Sequence, residues 1–428
     1  MNAPSPDSLI QSVIDGVNAL QKKTFREARN IVGEAHWLVP SLPVGDGKSI
    51  WITPVGLRAV DQLAALWRRS SDLGRQTSLA EARKATAQGI AKLLIAPEFE
   101  AASDALTWER IKQAAESQVA ALLGEVTHHF QVHLFRHSGI EAVTIGPVIL
   151  ERAESWKARV LNKIGDELDR SSPSDRFMEA PWVGSVTVQG RTLERSREHA
   201  AACIRLALDS VTLPMTISQA REVRGPSDTI QESQTHTFTQ HKGGFLGWAS
   251  SRELFGLRSS AEDTDLFVTR QQSFLDQVGS ALGVMIDEGS ASPNANLKRR
   301  WLEGLYWFGE SRRATDDFVA IVHLGIALDV LSGGLGDYGI AQMCGAIEGI
   351  HIDEPFASDG RSIKKLVKQI YNEGRSRIAH GSRYGLLEDL PLSRVDADRF
   401  TAIMIIGFLC DLRDYTGEDD PNSFSNRR

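Results

Sequence analysis

The chain has 428 residues, which is too many for one simple hydrophobic core, so we expect two or three domains. Hydrophobic residues make up 42% of the sequence and charged residues 24%, which is an ordinary balance for a globular protein. The net charge of −7 argues against nucleic-acid binding by the molecule as a whole, so any RNA site must be a local basic patch.

Cysteine usage and the N-terminal residues indicate the compartment. The three cysteines, Cys203, Cys344 and Cys410, are widely spaced and include no C-x-x-C pair, so neither a zinc ribbon nor a disulfide framework is expected. Residues 1–15 lack a basic segment followed by an apolar core, which predicts that no signal peptide is present. The longest apolar run, residues 400–410, is far too short for a membrane span. We therefore expect a soluble cytoplasmic protein.

Residues 1–170 predict an α-rich region with a short β element. Apolar residues recur at helical spacing in residues 8–36, 55–68, 78–95 and 108–123. A turn is expected at residues 40–47, which are rich in Pro and Gly. Apolar and polar residues alternate over residues 126–134, which predicts a half-buried strand. A second strand is expected at residues 143–145, followed by a helix over residues 147–168.

Residues 171–290 predict a middle region that contains β-structure. A linker rich in Ser and Pro, residues 171–175, begins this region. Strands are expected at residues 183–188, 212–217 and 235–239, and helices at residues 194–209 and 262–287. A second linker, residues 289–296, separates this region from the next.

Residues 291–428 predict an all-α region. Helical spacing covers residues 297–311, 315–332, 338–349, 361–373 and 394–415. Asp316 and Asp317 place acids at the positive end of the second of these helices. The fold class expected for the chain is therefore α+β, with a mixed α/β N-terminal region followed by an all-α helical bundle.

The most informative stretch is residues 370–381, which read Ile-Tyr-Asn-Glu-Gly-Arg-Ser-Arg-Ile-Ala-His-Gly. Arg375 is a permanent cation whose planar set of donors suits a phosphate group. His380, five positions later, can exchange a proton near neutral pH. Gly374 is expected to interrupt the helix and to bring these two side chains to one place. Such a pair would allow RNA cleavage without a metal ion or any other cofactor.

Arg375, four intervening residues and His380 resemble the R-x(4–6)-H motif of HEPN domains. The surrounding residues 371–381 are similar to the ApeA-like HEPN branch. The resemblance covers about the last third of the chain and implies that residues 291–428 form an all-α HEPN bundle. It further implies an endoribonuclease that works as a homodimer in antiphage defence, where RNA cleavage causes abortive infection.

The residue types suggest a chemical mechanism, and the resemblance adds the role of a partner subunit. Neutral His380 would accept the proton of a ribose 2′-hydroxyl, which then attacks the neighbouring phosphorus. Arg375 would donate hydrogen bonds to the non-bridging oxygens as their negative charge increases. The His380 of the partner subunit would supply the proton for the leaving oxygen. DNA lacks the 2′-hydroxyl and is expected to resist cleavage.

Several neighbouring residues are candidates for supporting roles. Residues 361–383 hold seven basic residues and one acid, Glu373, which gives this segment a charge of about +6. The expected RNA-binding residues are Arg361, Lys364, Lys365, Lys368, Arg383 and the base-stacking Tyr371. Ser376 and Arg377 directly follow the motif arginine, and Arg377 is a candidate for a second phosphate contact. The resemblance implies that Asp329 orients an active-site cation.

Other interpretations of the same residues remain open. Basic runs and single acids such as Asp329 are also typical of a solvated helix surface. The C-terminal bundle is alternatively a non-catalytic dimerisation or RNA-binding module, with the sensing function in the N-terminal region. A structural scaffold is a third possibility. For a nuclease, residues 1–290 are expected to restrain a toxic activity and to respond to a trigger such as a phage component.

Overall fold

In the structure, a computed structural model, the chain forms two compact units. One unit comprises residues 1–126 with 188–198, and the other comprises residues 127–187 with 199–428. The structure describes residues 4–33, 39–45, 48–97, 101–161, 181–226, 228, 234–241, 244–252, 256–258, 260–287, 292–376 and 392–427. The predicted domain boundaries after residues 170 and 290 lie outside these ranges, so the division into three regions stays a prediction.

The first unit is mainly helical. Its described elements are α1 (Pro6–Asn18), α2 (Phe25–Val32), β1 (Ser41–Gly45), β2 (Lys48–Trp51), α3 (Pro54–Ser70), α4 (Asp72–Arg75), α5 (Leu79–Ile95), α6 (Ala102–Ala105) and α7 (Trp108–Ala120). The longer helices begin at a serine or threonine whose hydroxyl accepts a hydrogen bond from a backbone N–H of the first turn. These N-caps are Ser5, Thr24, Thr53, Ser78 and Thr107.

The core of the first unit comes from the apolar faces of four of these helices. Val13, Leu63, Ile90 and Ile111 lie in one cluster and are fully buried. The helices predicted over residues 55–68, 78–95 and 108–123 are confirmed. The turn predicted over residues 40–47 is wrong for residues 41–45, which form β1 and pair with β2 as an antiparallel strand, while residues 46–47 lie outside the described part of the chain. Pro43 is compatible with β1 because a strand of a two-stranded sheet has a partner on one side only.

The second unit contains a four-stranded sheet. The described elements between residues 124 and 252 lie wholly or partly in this unit. They are β3 (Gly124–Val132), β4 (Ala142–Ile145), β5 (Val148–Arg152), α8 (Ala153–Trp156), a first π-helix π1 (Lys157–Leu161), β6 (Trp182–Arg191), α9 (Leu193–Thr212), α10 (Ile217–Ala220), β7 (Gln234–His241) and β8 (Gly244–Arg252). The strand order is β3-β6-β5-β4, while β7 and β8 form a separate antiparallel pair. A Cβ atom on Gly184 would lie 3.0 Å from Ile204 Cγ2, so this glycine allows α9 to pack closely on the sheet. The strands predicted at residues 126–134, 143–145 and 183–188 are confirmed.

The start of the helix predicted over residues 147–168 is wrong. Val148–Arg152 form β5, which pairs with both β4 and β6. Gly146 has a φ of 56°, a left-handed conformation that lets the chain reverse between β4 and β5. Helical structure begins only at Ala153, and residues 162–168 lie outside the described part of the chain.

The strand predicted over residues 212–217 is also wrong. Thr212 is the last residue of α9 and Ile217 is the first residue of α10. The connecting backbone finds its hydrogen-bond partner in Arg312, whose guanidinium donates to the carbonyl oxygens of Thr212, Leu213 and Met215. A side chain distant in sequence therefore replaces the neighbouring strand that the prediction required.

The rest of the second unit is a helical bundle. Its described elements are α11 (Ala261–Ile286), α12 (Ala295–Arg313), α13 (Asp317–Ser332), α14 (Gly336–Glu348), α15 (Ile363–Val367), a second π-helix π2 (Lys368–Ser376), α16 (Arg394–Arg413) and α17 (Pro421–Ser425). The helices predicted in this region are confirmed, and so is the α+β fold class. Buried Trp301 links α12 to α16, because its Nε1 donates to the carbonyl oxygen of Ile405 at 2.8 Å. Gly304 lets α12 approach α13, since a Cβ atom there would lie 2.9 Å from Leu331 Cγ.

No single helix in the described part of the chain is long and apolar enough to cross a bilayer. Helices α13 and α14 together have sufficient length and apolar composition, but they are bent by 72° relative to each other.

Candidate functional site

The motif arginine lies on a helix of unusual geometry. The segment begins as the α-helix α15, where the Ser362 hydroxyl accepts from the backbone N–H of Lys365. From Lys368 to Ser376 it continues as π2, in which backbone hydrogen bonds span five residues. Such helical turns are rare and occur frequently at functional sites. Arg375 is the penultimate residue of π2.

Two glycines bring π2 against α13. Gly374 is buried inside π2 and does not have a positive φ, so the predicted break in the helix at this residue is wrong. A Cβ atom on Gly374 would collide with Ile321 of α13. On the facing helix, a Cβ atom on Gly325 would lie 2.5 Å from Arg375 Cβ and 3.1 Å from its Cγ. The aliphatic part of Arg375 therefore rests directly on the backbone of α13.

The Arg375 guanidinium is held by two side chains. Its Nη2 lies 3.5 Å from Asp329 Oδ2, and its Nη1 donates to Tyr371 Oη at 3.2 Å. Its Cζ also lies 5.0 Å from the centroid of the Tyr371 ring. The Arg375 side chain is 30% exposed, and a guanidinium has five N–H donors. The group is thus fixed in orientation, and its contacts with the described residues leave some of its five donors for an anion.

A second acid, Asp337, contacts π2 through Asn372. Asn372 donates from Nδ2 to Asp337 Oδ2 at 2.6 Å, which links π2 to the start of α14.

Burial raises the pKa of Tyr371, the charge of Asp329 raises it further, and the charge of Arg375 opposes both effects. Tyr371 therefore stays neutral at physiological pH and keeps its hydroxyl as a hydrogen-bond partner of Arg375. Asp329 Oδ1 is buried and has no hydrogen-bond partner among the described residues.

The structure brings together three of the predicted site residues, Arg375, Asp329 and Tyr371. Ser376 ends π2 and is half-buried. His380, Arg377 and Arg383 lie outside the described residues, so the convergence of Arg375 with His380 stays a prediction.

Part of the predicted RNA-binding set is already paired with acids. Arg361 donates to Asp359 at 2.7 Å, and its Nη2 lies 3.3 Å from Asp396 Oδ2. Lys364 Nζ lies 3.1 Å from Asp353 Oδ1. All three acids lie outside residues 361–383 in the sequence but close to these residues in the structure. They therefore reduce the excess positive charge of this segment. By contrast, Lys365 and Lys368 are exposed and form no ion pair with another described residue.

Sequence reasoning missed three residues that shape this site. Gly325 carried a usable signal, because an isolated glycine inside an apolar helix often marks a close approach of another backbone. Asp337 and Asn372 carried none, since their contact depends on the bend between α13 and α14.

No group of three or more His, Cys, Asp or Glu residues that could hold a metal ion occurs in the part of the chain that the structure describes. His129 of β3 instead lies 2.7 Å from Ser185 Oγ through its Nδ1 and accepts from Trp156 Nε1 at 3.1 Å. Burial lowers the pKa of His129, and the positive charge of Arg159 lowers it further. This histidine is a neutral part of the sheet.

No family model, curated protein or solved structure matches this chain. The resemblance to HEPN domains therefore stays a prediction that depends on residues 370–381.

The substitution Gly325→Ala is expected to displace Arg375. The added methyl would occupy the space of the Arg375 stem, and such overpacking costs about 1–3 kcal/mol of stability. RNA cleavage should fall at least tenfold, since a shift of about 1 Å in a reacting group can cost about a hundredfold in rate. Urea unfolding and a cleavage assay measure the two effects.

Gly283→Ala provides the matched control for this prediction. Gly283 also lies inside a helix of the same unit, but nothing lies within 4 Å of a Cβ atom built there. Its substitution should leave cleavage unchanged and stabilise α11 slightly, because alanine favours helix more than glycine. Full cleavage activity in the Gly325→Ala variant would contradict the importance of this packing.

Proposed function

We propose that this chain is a metal-independent endoribonuclease of the HEPN type that acts in the cytoplasm as an antiphage, abortive-infection effector. The observation that carries the proposal is the Arg375 guanidinium, fixed by Asp329 and Tyr371 at the surface of a helical bundle. A fixed and partly exposed guanidinium on a π-helix is suited to bind the phosphate of a substrate.

The proposed reaction needs no metal ion because the nucleophile belongs to the RNA itself. His380 accepts the proton of a ribose 2′-hydroxyl, and the oxygen attacks the adjacent phosphorus. Arg375 donates hydrogen bonds to the non-bridging oxygens, where negative charge accumulates. The bond to the 5′-oxygen breaks, and this oxygen takes a proton from the partner subunit's His380. The products are a 2′,3′-cyclic phosphate and a 5′-hydroxyl.

Asp329 has a positioning role in this proposal. Its Oδ2 lies 3.5 Å from Arg375 Nη2, and its negative charge raises the pKa of Tyr371. The acid thereby acts on two groups of π2 from the neighbouring helix α13. The chain would act as a homodimer through its C-terminal bundle, and residues 1–290 would restrain the activity until a phage-derived trigger is present.

Cleavage in the presence of a chelator tests the proposal. Purified protein is incubated with total RNA in EDTA, and the new RNA ends are mapped. We expect cleavage to persist and to leave 2′,3′-cyclic phosphate and 5′-hydroxyl ends, because the reaction uses no metal ion. Single-stranded DNA of the same sequence should remain intact because it lacks the 2′-hydroxyl. Loss of cleavage in EDTA, or cleavage of the DNA, would contradict the mechanism.

A second candidate function is a non-catalytic dimerisation or RNA-binding module. One observation favours it: Arg375 already has an acidic partner and a hydroxyl partner, as an arginine with a structural role would have. In this case the protein would bind RNA or form dimers without producing new RNA ends. The end-mapping experiment therefore also separates the two candidates.

A further inference from the structure

The second unit contains a large cleft away from Arg375. The segment after α9, the short helix α10, the first turn of α13 and one face of α16 line a volume of about 1600 Å³. Pockets for small molecules usually measure about 300–1,000 Å³. The cleft is thus large enough for an extended ligand rather than a single small molecule.

The charge of the cleft is opposite to that of the chain. Among the described residues its walls hold six arginines and three acids, a sum of +3 in a chain with a net charge of −7. The arginines are Arg221, Arg224, Arg258, Arg312, Arg394 and Arg399. The acids are Glu222, Asp317 and Asp398. Such a local excess of arginine attracts anionic ligands.

Two of the acids are already neutralised by arginines of the cleft wall. Buried Arg312 forms a bidentate pair with Asp398, with distances of 2.9 Å from Nε and 2.8 Å from Nη2. Arg394 Nη1 donates to Asp317 Oδ1 at 3.0 Å. The positive excess therefore resides in the other arginines.

Two of these remaining arginines are free to meet a ligand. Arg258 and Arg399 are exposed and form no ion pair with another residue that the structure describes. They line the cleft from different elements, Arg258 from the segment after β8 and Arg399 from α16. A ligand with several negative charges along its length could contact both.

The cleft also carries exposed apolar surface between its charges. Val395 and Ile403 are 64% and 38% exposed, and they lie four residues before and after Arg399 on one face of α16. Phe318 faces the same cleft from α13 and is half-buried. Nucleobases stack on aromatic rings and guanidinium planes, whereas arginines bind the phosphates between them. This alternation of apolar groups and cations suits a single-stranded polynucleotide.

We propose that this cleft binds single-stranded RNA and delivers it to Arg375, an inference that rests on the proposed ribonuclease function. Helix α13 extends from the cleft to the site of Arg375. Phe318, Gly325 and Asp329 are separated by seven and four residues and so share one stripe of this helix. Phe318 in the cleft lies roughly 10 Å along the helix axis from Gly325, on which Arg375 rests.

RNA binding to charge-reversed variants tests the proposal. The probe is a labelled 2′-O-methyl oligoribonucleotide, which cannot be cleaved because its 2′-oxygen carries a methyl group. Its affinity for the full chain is measured by fluorescence anisotropy at several salt concentrations. We expect Arg258→Glu/Arg399→Glu to weaken binding by about tenfold or more and to lower the slope of log affinity against log salt by about 0.7 for each lost phosphate contact.

Exposed Arg299 of α12 supplies the control, since it does not line the cleft. The variant Arg299→Glu should bind the probe like the unmodified chain. Thermal unfolding of each variant confirms that the substitutions of exposed side chains leave the fold intact.

Three results would overturn the proposal. One is unchanged RNA binding in Arg258→Glu/Arg399→Glu. Another is a loss of binding confined to Lys365→Glu/Lys368→Glu, which would place the RNA on the basic face of α15 and π2. The third is tighter binding of a labelled acidic peptide than of RNA. The cleft and the nuclease can fail separately, because binding is measured with an uncleavable probe and cleavage is measured by new RNA ends.

Discussion

Arg375→Ala and His380→Ala are each expected to lower RNA cleavage by about 10²–10⁴-fold. Loss of a general base typically costs this much, and loss of one donor to a developing oxyanion costs about 10²–10³-fold. Because the two groups act on the same phosphate, the double variant should be only slightly slower than either single variant. Initial rates of cleavage of a labelled RNA measure the effect, and growth on overexpression gives a second readout in cells.

Matched substitutions in the same unit control for loss of one histidine or one arginine. His351 is exposed, and its Nδ1 lies 3.8 Å from Oδ2 of a surface acid, Asp353. Arg299 is an exposed arginine of α12. His351→Ala and Arg299→Ala should therefore keep full cleavage and full toxicity. Folded Arg375→Ala and His380→Ala variants that still cleave RNA or still stop growth would refute the assignment of the catalytic pair.

The helices of the bundle could be predicted from sequence because their apolar residues repeat at helical spacing. The N-cap of α13 is an example, since Asp316 accepts from the backbone N–H of Val319 at 3.0 Å as its position in the sequence suggested. The secondary-structure predictions that are wrong lie where the backbone forms hydrogen bonds with residues distant in sequence. In residues 212–217, three backbone carbonyl oxygens accept hydrogen bonds from Arg312 instead of from a neighbouring strand. Val148–Arg152 pair with two strands, of which β6 begins thirty residues later.

The candidate site was predictable in its residue types and not in its geometry. The motif identified Arg375, and the resemblance to HEPN domains identified Asp329. The distance between their side chains, however, depends on how π2 packs on α13. Gly374 illustrates the limit, because a glycine permits both a turn and a close contact, and only the neighbouring Ile321 decides between them. The ion pairs of Arg361 and Lys364 could not be predicted either, because their partners Asp396 and Asp353 lie outside the basic segment in the sequence.

Arg312→Leu is expected to lower the free energy of unfolding by about 3–5 kcal/mol. The side chains of Arg312 and Asp398 are only 4% and 8% exposed, and removal of one partner leaves the other charge buried without compensation. The substitution also removes the donors for the carbonyl oxygens of Thr212, Leu213 and Met215. Urea unfolding followed by circular dichroism measures the change.

Comparison of Arg312→Leu with the double variant Arg312→Leu/Asp398→Leu separates the cost of the unpaired carboxylate from the cost of the lost carbonyl hydrogen bonds. Arg312→Leu/Asp398→Leu removes both charges, so the part of the loss caused by the unpaired carboxylate should be recovered. The part caused by the three backbone carbonyls should remain, because leucine has no donor for them. Arg413→Leu, which removes an exposed pair with Asp414, should leave the free energy of unfolding close to that of the unmodified chain. If Arg312→Leu were as stable as Arg413→Leu, Arg312 would not be what holds the segment between α9 and α10 in place.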